Sequence, residues 1–267
     1  AVNSGSSANL ISLQALKNYY KLKNGDEVIV PAVTFATVSM PIIQVGLTPV
    51  YVDVDRETMN INPKDIEKSI TPKTKIIMPV HTLGIPAQMD QIMEIAENNN
   101  LLVLEDCCEA HGSEISGKKV GSLGDISTFS FFVAHHMTTG EGGMILTSNS
   151  QLEEECRSLR EFGRCGQKSI ADERFYTDNI LKDYDKRYVF MKIGYNMRMT
   201  DICAALGLVQ LGKLDKMNEK RRENTRYLRL ALTEKFSEYF EFPGENCNYH
   251  YTFFAFPILL KEKADFS

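Results

Sequence analysis

Two adjacent histidines, His135 and His136, stand between an apolar run, Phe129-Ser130-Phe131-Phe132, and a glycine-rich turn, Gly140-Glu141-Gly142-Gly143. Imidazole titrates near neutrality, so one such group can accept a proton and return it within a single reaction. Metal binding by the pair is disfavoured, because neighbours on an extended chain point to opposite faces and no cysteine or carboxylate lies at ligand spacing. One of the two is expected to face a pocket. Asp106 closes the run Leu101 to Asp106, which reads as a buried strand, and so stands at the rim where open α/β sheets bind ligands. A carboxylate there can hold a pyridine nitrogen protonated and make that ring an electron sink. An aspartate that merely caps the next turn accounts for the same residue. Ser4-Gly5-Ser6-Ser7-Ala8 places small residues before a helix, where backbone amides and the helix dipole favour a phosphate. A serine cap that serves stability alone reads the same way.

The elements that must position these groups alternate between two periods. Helical spacing is expected over Ser7 to Leu22, with Leu10, Leu13, Leu16 and Tyr20 on one side, over Phe35 to Val45, over Met89 to Asn98 and over Leu152 to Glu161. Asn62-Pro63 opens a shorter helix, and Thr200-Asp201 caps a long one that runs to Phe236 in one or two pieces. Strands are expected at Glu27 to Val30, closed by Pro31, and at Pro49 to Val54, Lys75 to Val80 and Leu101 to Asp106. Two more, Ile126 to Phe132 and Gly143 to Thr147, flank the histidines. Repeated β-α-β units predict an α/β fold, a mainly parallel sheet covered by helices. Gly163 to Lys186 is polar and too long for a simple connector, which marks it as a functional or partner-contacting loop. Lys213, Lys216, Lys220, Arg221, Arg222 and Arg226 read as the solvated face of the long helix.

The 267 residues, 43% hydrophobic, suffice for one large domain and part of a second, with divisions expected at 1–225 and 226–267. A net charge of −5 gives no general attraction to nucleic acid or anionic membrane, so an anionic ligand must be held locally. No apolar stretch reaches the length of a membrane span and no secretory signal opens the chain. The six cysteines form no CxxC pair and no framework, so reduced thiols in a cytoplasmic protein are expected. The chain starts within a ligand loop and stops after an apolar run, and reads as incomplete at both ends.

Seven segments, in order, resemble the DegT/DnrJ/StrS-type sugar aminotransferase family: SGSSANL at 4–10, PAVTFAT at 31–37, HTLGIPAQMD at 81–90, EDCCEAHG at 105–112, GSLGDISTFSF at 121–131, TTGEGGMILT at 138–147 and GYNMRMTDICAALGLVQL at 194–211. The resemblance implies a fold-type I, aspartate-aminotransferase-like architecture with a truncated smaller C-terminal domain, and a vitamin-B6 cofactor. It implies that Ser6 and Ser7, helped by Ser130, hold the cofactor phosphate, that Phe35 stacks on the pyridine ring and that Asp106 pairs with the ring nitrogen. Glu109 would lie near the ring hydroxyl. Asn196 would reach the phosphate bound by a second subunit, so that a homodimer completes each site.

The family pattern breaks at His135, which takes the place of the lysine that tethers the cofactor. No lysine occurs between Lys119 and Lys168. Imidazole cannot form that Schiff base, so the cofactor is expected as the untethered amine, pyridoxamine 5′-phosphate, cycling with pyridoxal 5′-phosphate. The histidine is similar to that of a branch of nucleotide-sugar 3-dehydratases, which deoxygenate 4-keto-6-deoxyhexoses for dideoxysugars of lipopolysaccharide O-antigen. Asp185-Lys186-Arg187-Tyr188 resembles that branch too. Its iron–sulfur subtype needs about four thiolates. Cys108 matches one, but Gly166 and Lys168 stand where others would be, with Cys165 the nearest thiol. A cluster-free cycle that recovers its amine from glutamate, with no metal, is therefore expected. Two other readings are an aminotransferase that recruits a distant lysine, disfavoured because the amine must lie within bonding reach, and a non-catalytic sugar-nucleotide-binding relative, which would have no need of Asp106, Ser130, Phe35 and Asn196 together.

Overall fold

A computed structural model of the chain describes residues 1–165, 184–244 and 250–262. Most of the polar stretch 163–186 lies outside these residues, as do Gly166, Lys168 and Cys247. Ser4 caps helix α1 (Gly5–Tyr19) by accepting the Ser7 amide on its side chain, which satisfies one of the orphan donors of the first turn. Strand β1 (Glu27–Pro31), helix α2 (Ala36–Gln44) and strand β2 (Thr48–Val52) follow, then α3 (Pro63–Ser69), with Asn62 as its cap and Pro63 at its first turn. Next come β3 (Thr74–Ile77), α4 (Met89–Asn99), β4 (Leu102–Asp106), a small ladder of β5 (Glu114–Ile115) with β6 (Lys118–Lys119), then β7 (Ile126–Ser130), β8 (Gly143–Leu146) and α5 (Ser150–Arg160).

The main sheet has the order β2-β1-β3-β4-β7-β8, parallel except for the antiparallel pair β7–β8. This is the α/β architecture expected from the alternating periods. Strand β3 is shorter than the expected 75–80 run, because after Ile77 the chain leaves the ladder and returns only for a single bridge between Val80 and Asp106. Pro31 lies inside β1 rather than beyond it.

Two apolar layers cover the sheet. One packs α1 and α5 through Ile11, Leu13, Leu16, Leu152 and Leu159 against Val28, Val30, Met78 and Leu104. The other packs α3 and α4 through Ile66, Met89 and Ile92 against Ile29, Ile77 and Val103. Each such fully buried side chain contributes roughly 2 kcal/mol of transfer free energy, so the frame carrying the ends of β4 and β7 is rigid.

Thr200 caps helix α6 (Asp201–Phe236), one unbroken helix of 36 residues, about 54 Å long at ~1.5 Å per residue. The division expected at 225/226 falls inside it. Strands β9 (Phe240–Glu241) and β10 (Leu259–Leu260) form a separate antiparallel pair beyond it. Within the basic run of α6, Arg221 departs from the expected solvated face: its Nη1 donates to the carbonyls of Phe253 and Phe254, both at 3.1 Å.

Glu105 organises the loop before β7. Its buried carboxylate accepts the amides of Gly121, Leu123 and Gly124 at 2.7–2.8 Å and pairs with His81 Nε2 at 3.2 Å. Burial alone would raise this carboxyl, but the His81 and backbone bonds outweigh it and hold it below its usual range. His81 Nδ1 accepts the Ala87 amide, so both nitrogens of that ring are engaged. Glu105→Gln sets an amide nitrogen against backbone donors, and should cost about 3 kcal/mol of unfolding free energy in denaturant titrations. A loss below about 1 kcal/mol would remove Glu105 from this role.

Candidate active site

Asp106 ends β4 facing the N-terminus of α1, and neither of its oxygens is loose. Asn9 Nδ2 donates to Oδ2 at 2.8 Å and the Cys108 amide donates to Oδ1 at 3.0 Å. Asn9 is in turn fixed by Thr128 Oγ1, which donates to its Oδ1 at 2.7 Å, and by its own second bond to the Thr37 carbonyl. Each carboxylate oxygen keeps further acceptor capacity, so Asp106 is oriented without being exhausted. Asn9 was not singled out in the sequence. Its signal is a polar residue on the buried stripe of α1 that also holds Gly5, Ser12 and Leu16.

The first turn of α1 lies against the end of β7. A Cβ on Gly5 would stand 2.6 Å from Ser130 Cβ and 3.0 Å from Cys108 Sγ, so only glycine allows this approach. Ser6 is exposed at the turn, and Ser7 accepts a bond from the Ser4 hydroxyl at 3.0 Å. Ser130 is buried, and its Oγ accepts the Phe132 amide at 3.3 Å. Gly5 thus meets Ser130 and Cys108, and the Cys108 amide in turn holds Asp106. Glu109 joins them from the next turn. Its Oε2 accepts the Leu83 amide at 2.7 Å, and burial, opposed by that bond and aided by Asp106, lifts its carboxyl above the usual range.

The histidine pair differs from the extended-chain expectation. Residues 133–137 form a turn rather than a strand, so the two rings do not point to opposite faces. Both pack near Phe254, with centroids at 5.3 Å for His135 and 6.4 Å for His136. His111, buried against Phe129, lies 6.3 Å from His135 and 5.3 Å from His136. The pair separates in environment: His136 is fully buried, whereas His135 is partly open.

His135 Nδ1 lies 3.2 Å from the Ser130 carbonyl. A carbonyl oxygen only accepts, so Nδ1 carries the hydrogen and Nε2 is left with its lone pair. Burial lowers the His135 pKa from its ordinary value, and Arg221 adds to this. The Ser130 bond and Asp106 act in the opposite sense. Burial likewise takes His111 down to about 3 and His136 to about 4. Burial thus favours the neutral form of all three rings, and His135 is the most exposed of them.

The side chains of two further predicted residues are exposed. Phe35 precedes α2 and is 74% exposed, lining an open groove of about 460 Å³ with Met40, Ile43 and Tyr51. Asn196 is exposed on the segment bridged to Glu161, and among the described residues it makes no hydrogen bond to the other predicted site residues. Cys107 and Cys108 are thiols whose pKa values burial pushes well up, a poor setting for thiolate chemistry.

The DegT/DnrJ/EryC1/StrS aminotransferase family profile matches residues 1–267. Among curated proteins, the lipopolysaccharide biosynthesis protein RfbH of Salmonella typhimurium is 42% identical over 97% of this chain and 62% of its own length. A GDP-perosamine synthase of Escherichia coli O157:H7 is 44% identical over 83% of this chain and 55% of its own. The chain thus spans a little over half the length of these relatives. A crystal structure of a GDP-4-keto-6-deoxymannose-3-dehydratase with a trapped PLP-glutamate geminal diamine superposes with a TM-score of 0.86 at 32% identity, covering 98% of this chain and 67% of the other. The fold is that of the PLP-dependent aminotransferases, and the chain belongs to the DegT/DnrJ/EryC1/StrS aminotransferase family.

Proposed function

We propose that the protein containing this chain removes the C3 hydroxyl from a nucleotide-linked 4-keto-6-deoxyhexose, using pyridoxamine 5′-phosphate regenerated from glutamate. The observation that carries this reading is an imidazole, His135, held through Nδ1 and with no hydrogen bond to its Nε2 among the described residues, where other members of the family would have a lysine. The dehydratase structure with its PLP–glutamate adduct supports it, as does the absence of lysine between Lys119 and Lys168.

The residues present fit the cofactor. Asp106 is preset by Asn9 and Cys108 with acceptor capacity to spare, and a ring nitrogen needs one such acceptor. Ser6, Ser7 and the first-turn amides of α1 would take the phosphate with Ser130, helped by the positive end of the helix. Phe35 would cover the ring and Glu109 would face its hydroxyl side. When bound, the cofactor supplies an amine for the keto group and a ring that accepts an electron pair. Asp106 would hold a proton on the pyridine nitrogen. His135 Nε2 would accept a proton and return one to the departing hydroxyl oxygen, while Nδ1 stays bonded to Ser130.

A homodimer completes the proposal. The first half of α6 leaves Ile202 and Leu208 more than three-quarters exposed, with Leu206, Val209 and Leu211 beside them, an apolar face of the kind that marks an interface. A second copy there would bring Asn196 to the neighbouring phosphate. A role in lipopolysaccharide biosynthesis is proposed from the name of the RfbH relative, with a cytoplasmic location and O-antigen dideoxysugars as part of the same proposal. Among the described residues no helix is long and apolar enough to cross a membrane.

Amino transfer is the second reading, favoured by the 44% identity to a GDP-perosamine synthase. Product mass separates them. Full-length protein given GDP- or CDP-linked 4-keto-6-deoxyhexoses, the cofactor and glutamate should yield a sugar that has lost oxygen at C3, with no labelling by borohydride at residues 131–140. An amino sugar as sole product would install the second reading. His135→Asn should slow dehydration by about 10³-fold, and unchanged turnover would remove the assignment. Because the base works unprotonated and its pKa is lowered, kcat/KM should fall only as pH drops through a midpoint below the ordinary histidine value. In sedimentation the wild type should run as a dimer and Ile202→Asp with Leu208→Asp as an inactive monomer. A fully active wild-type monomer would contradict the shared site.

A further inference from the structure

The segment Tyr251–Phe254 lies beyond α6 in sequence, yet it crosses directly over the histidine turn. Thr252 anchors it to the loops that follow β3 and β4. Its amide donates to Ser113 Oγ at 3.0 Å and its hydroxyl donates to the His111 carbonyl at 2.9 Å. The Phe254 amide donates to the Leu83 carbonyl at 2.9 Å. Gly84 makes room for the crossing: a Cβ there would stand 2.1 Å from the Thr252 carbonyl, and its φ of +86° is itself in the left-handed region. From the other side, Arg221 of α6 holds the Phe253 and Phe254 carbonyls.

A further tie comes from the second histidine. His136 Nε2 lies 2.7 Å from the Thr252 carbonyl, and the side chain is 0% exposed. Since a carbonyl only accepts, His136 must donate from Nε2, so this nitrogen has no lone pair for catalysis. Two residues further along the strap, the Phe254 ring stands edge-on to His135, with centroids 5.3 Å apart and planes at 71°. The side chains around His135 are then Phe254 and Arg221 from the strap side, His111 and Phe132 from the sheet side, and Asp106 across the site.

We infer that His136 is a positioning residue, which latches the 251–254 strap through the Thr252 carbonyl so that Phe254 fixes the plane of the His135 ring and keeps water from it. This goes beyond the proposed reaction and rests on it only for the kinetic readout. His136 touches none of the reacting groups proposed above, and the Nε2–H that the Thr252 carbonyl requires is carried by one neutral tautomer and by the cation alike.

The test uses the full-length, cofactor-loaded protein with ¹⁵N-labelled histidine, and reads the titration midpoint of His135 by NMR. Burial holds that midpoint below the ordinary histidine value, so loosening the strap should raise it. His136→Leu and Phe254→Leu should each lift it by about half a pH unit or more, and lower kcat about 10-fold with little change in KM. His136→Gln, whose amide N–H can still reach the carbonyl, should restore both towards wild type. A folded His136→Leu in which His135 titrates as in the wild type would overturn the inference, as would a folded Gln variant no better than Leu. If His136→Leu does not fold, Phe254→Leu decides alone by the same shift. Should the wild type prove to be no dehydratase, the reaction fails, yet the NMR midpoint still decides the latch.

Discussion

The hydrogen bond from His135 Nδ1 to the Ser130 carbonyl is the contact on which the site depends. It fixes one tautomer of a neutral imidazole and so decides which nitrogen is available as a base. Ser130 can play this part because it ends β7, inside a sheet whose two faces are covered by apolar layers. The same strand end meets the first turn of α1 at Gly5, which sets the helix N-terminus against Ser130 and Cys108. Rigid backbone sets the directions, and a few side chains supply the chemistry.

The buried charges are arranged on the same principle. Glu105 and Asp106 are consecutive, and in a strand consecutive side chains point to opposite faces. Glu105 faces inward, where three amides and His81 neutralise it, and there it shapes the loop leading into β7. Asp106 faces the helix terminus, where Asn9 and one amide orient it. One carboxylate is spent on structure, and the other keeps acceptor capacity beyond its two bonds. His135 and His136 divide their work similarly, although a turn rather than a strand separates them.

Much of this was legible in the sequence because it is local. The serine cap of α1, the aspartate at a strand end, the alternating periods and the histidines before a glycine-rich turn all depend on residues close in the chain. What was not legible depends on distance. Asn9 reaches Asp106 across 97 positions, and His136 reaches Thr252 across 116. Neither contact has a periodic signature. The extended-chain argument for the histidine pair failed because the chain leaves β7 at Ser130 and turns. Arg221 looked like one charge in a solvated row, and only the return of the 251–254 strap makes it half-buried and structural. Asn196 and Phe35 are exposed within this chain, so burial gave no signal for either.

The central claim is that His135 waits as a neutral base with its hydrogen on Nδ1. The ¹⁵N spectrum of histidine-labelled, full-length protein at neutral pH reads this directly, because protonated and bare ring nitrogens have well-separated shifts. The account predicts that His135 shows a protonated Nδ1, coupled to the Ser130 carbonyl environment, and a bare Nε2. A hydrogen on Nε2, or on both nitrogens, would contradict it.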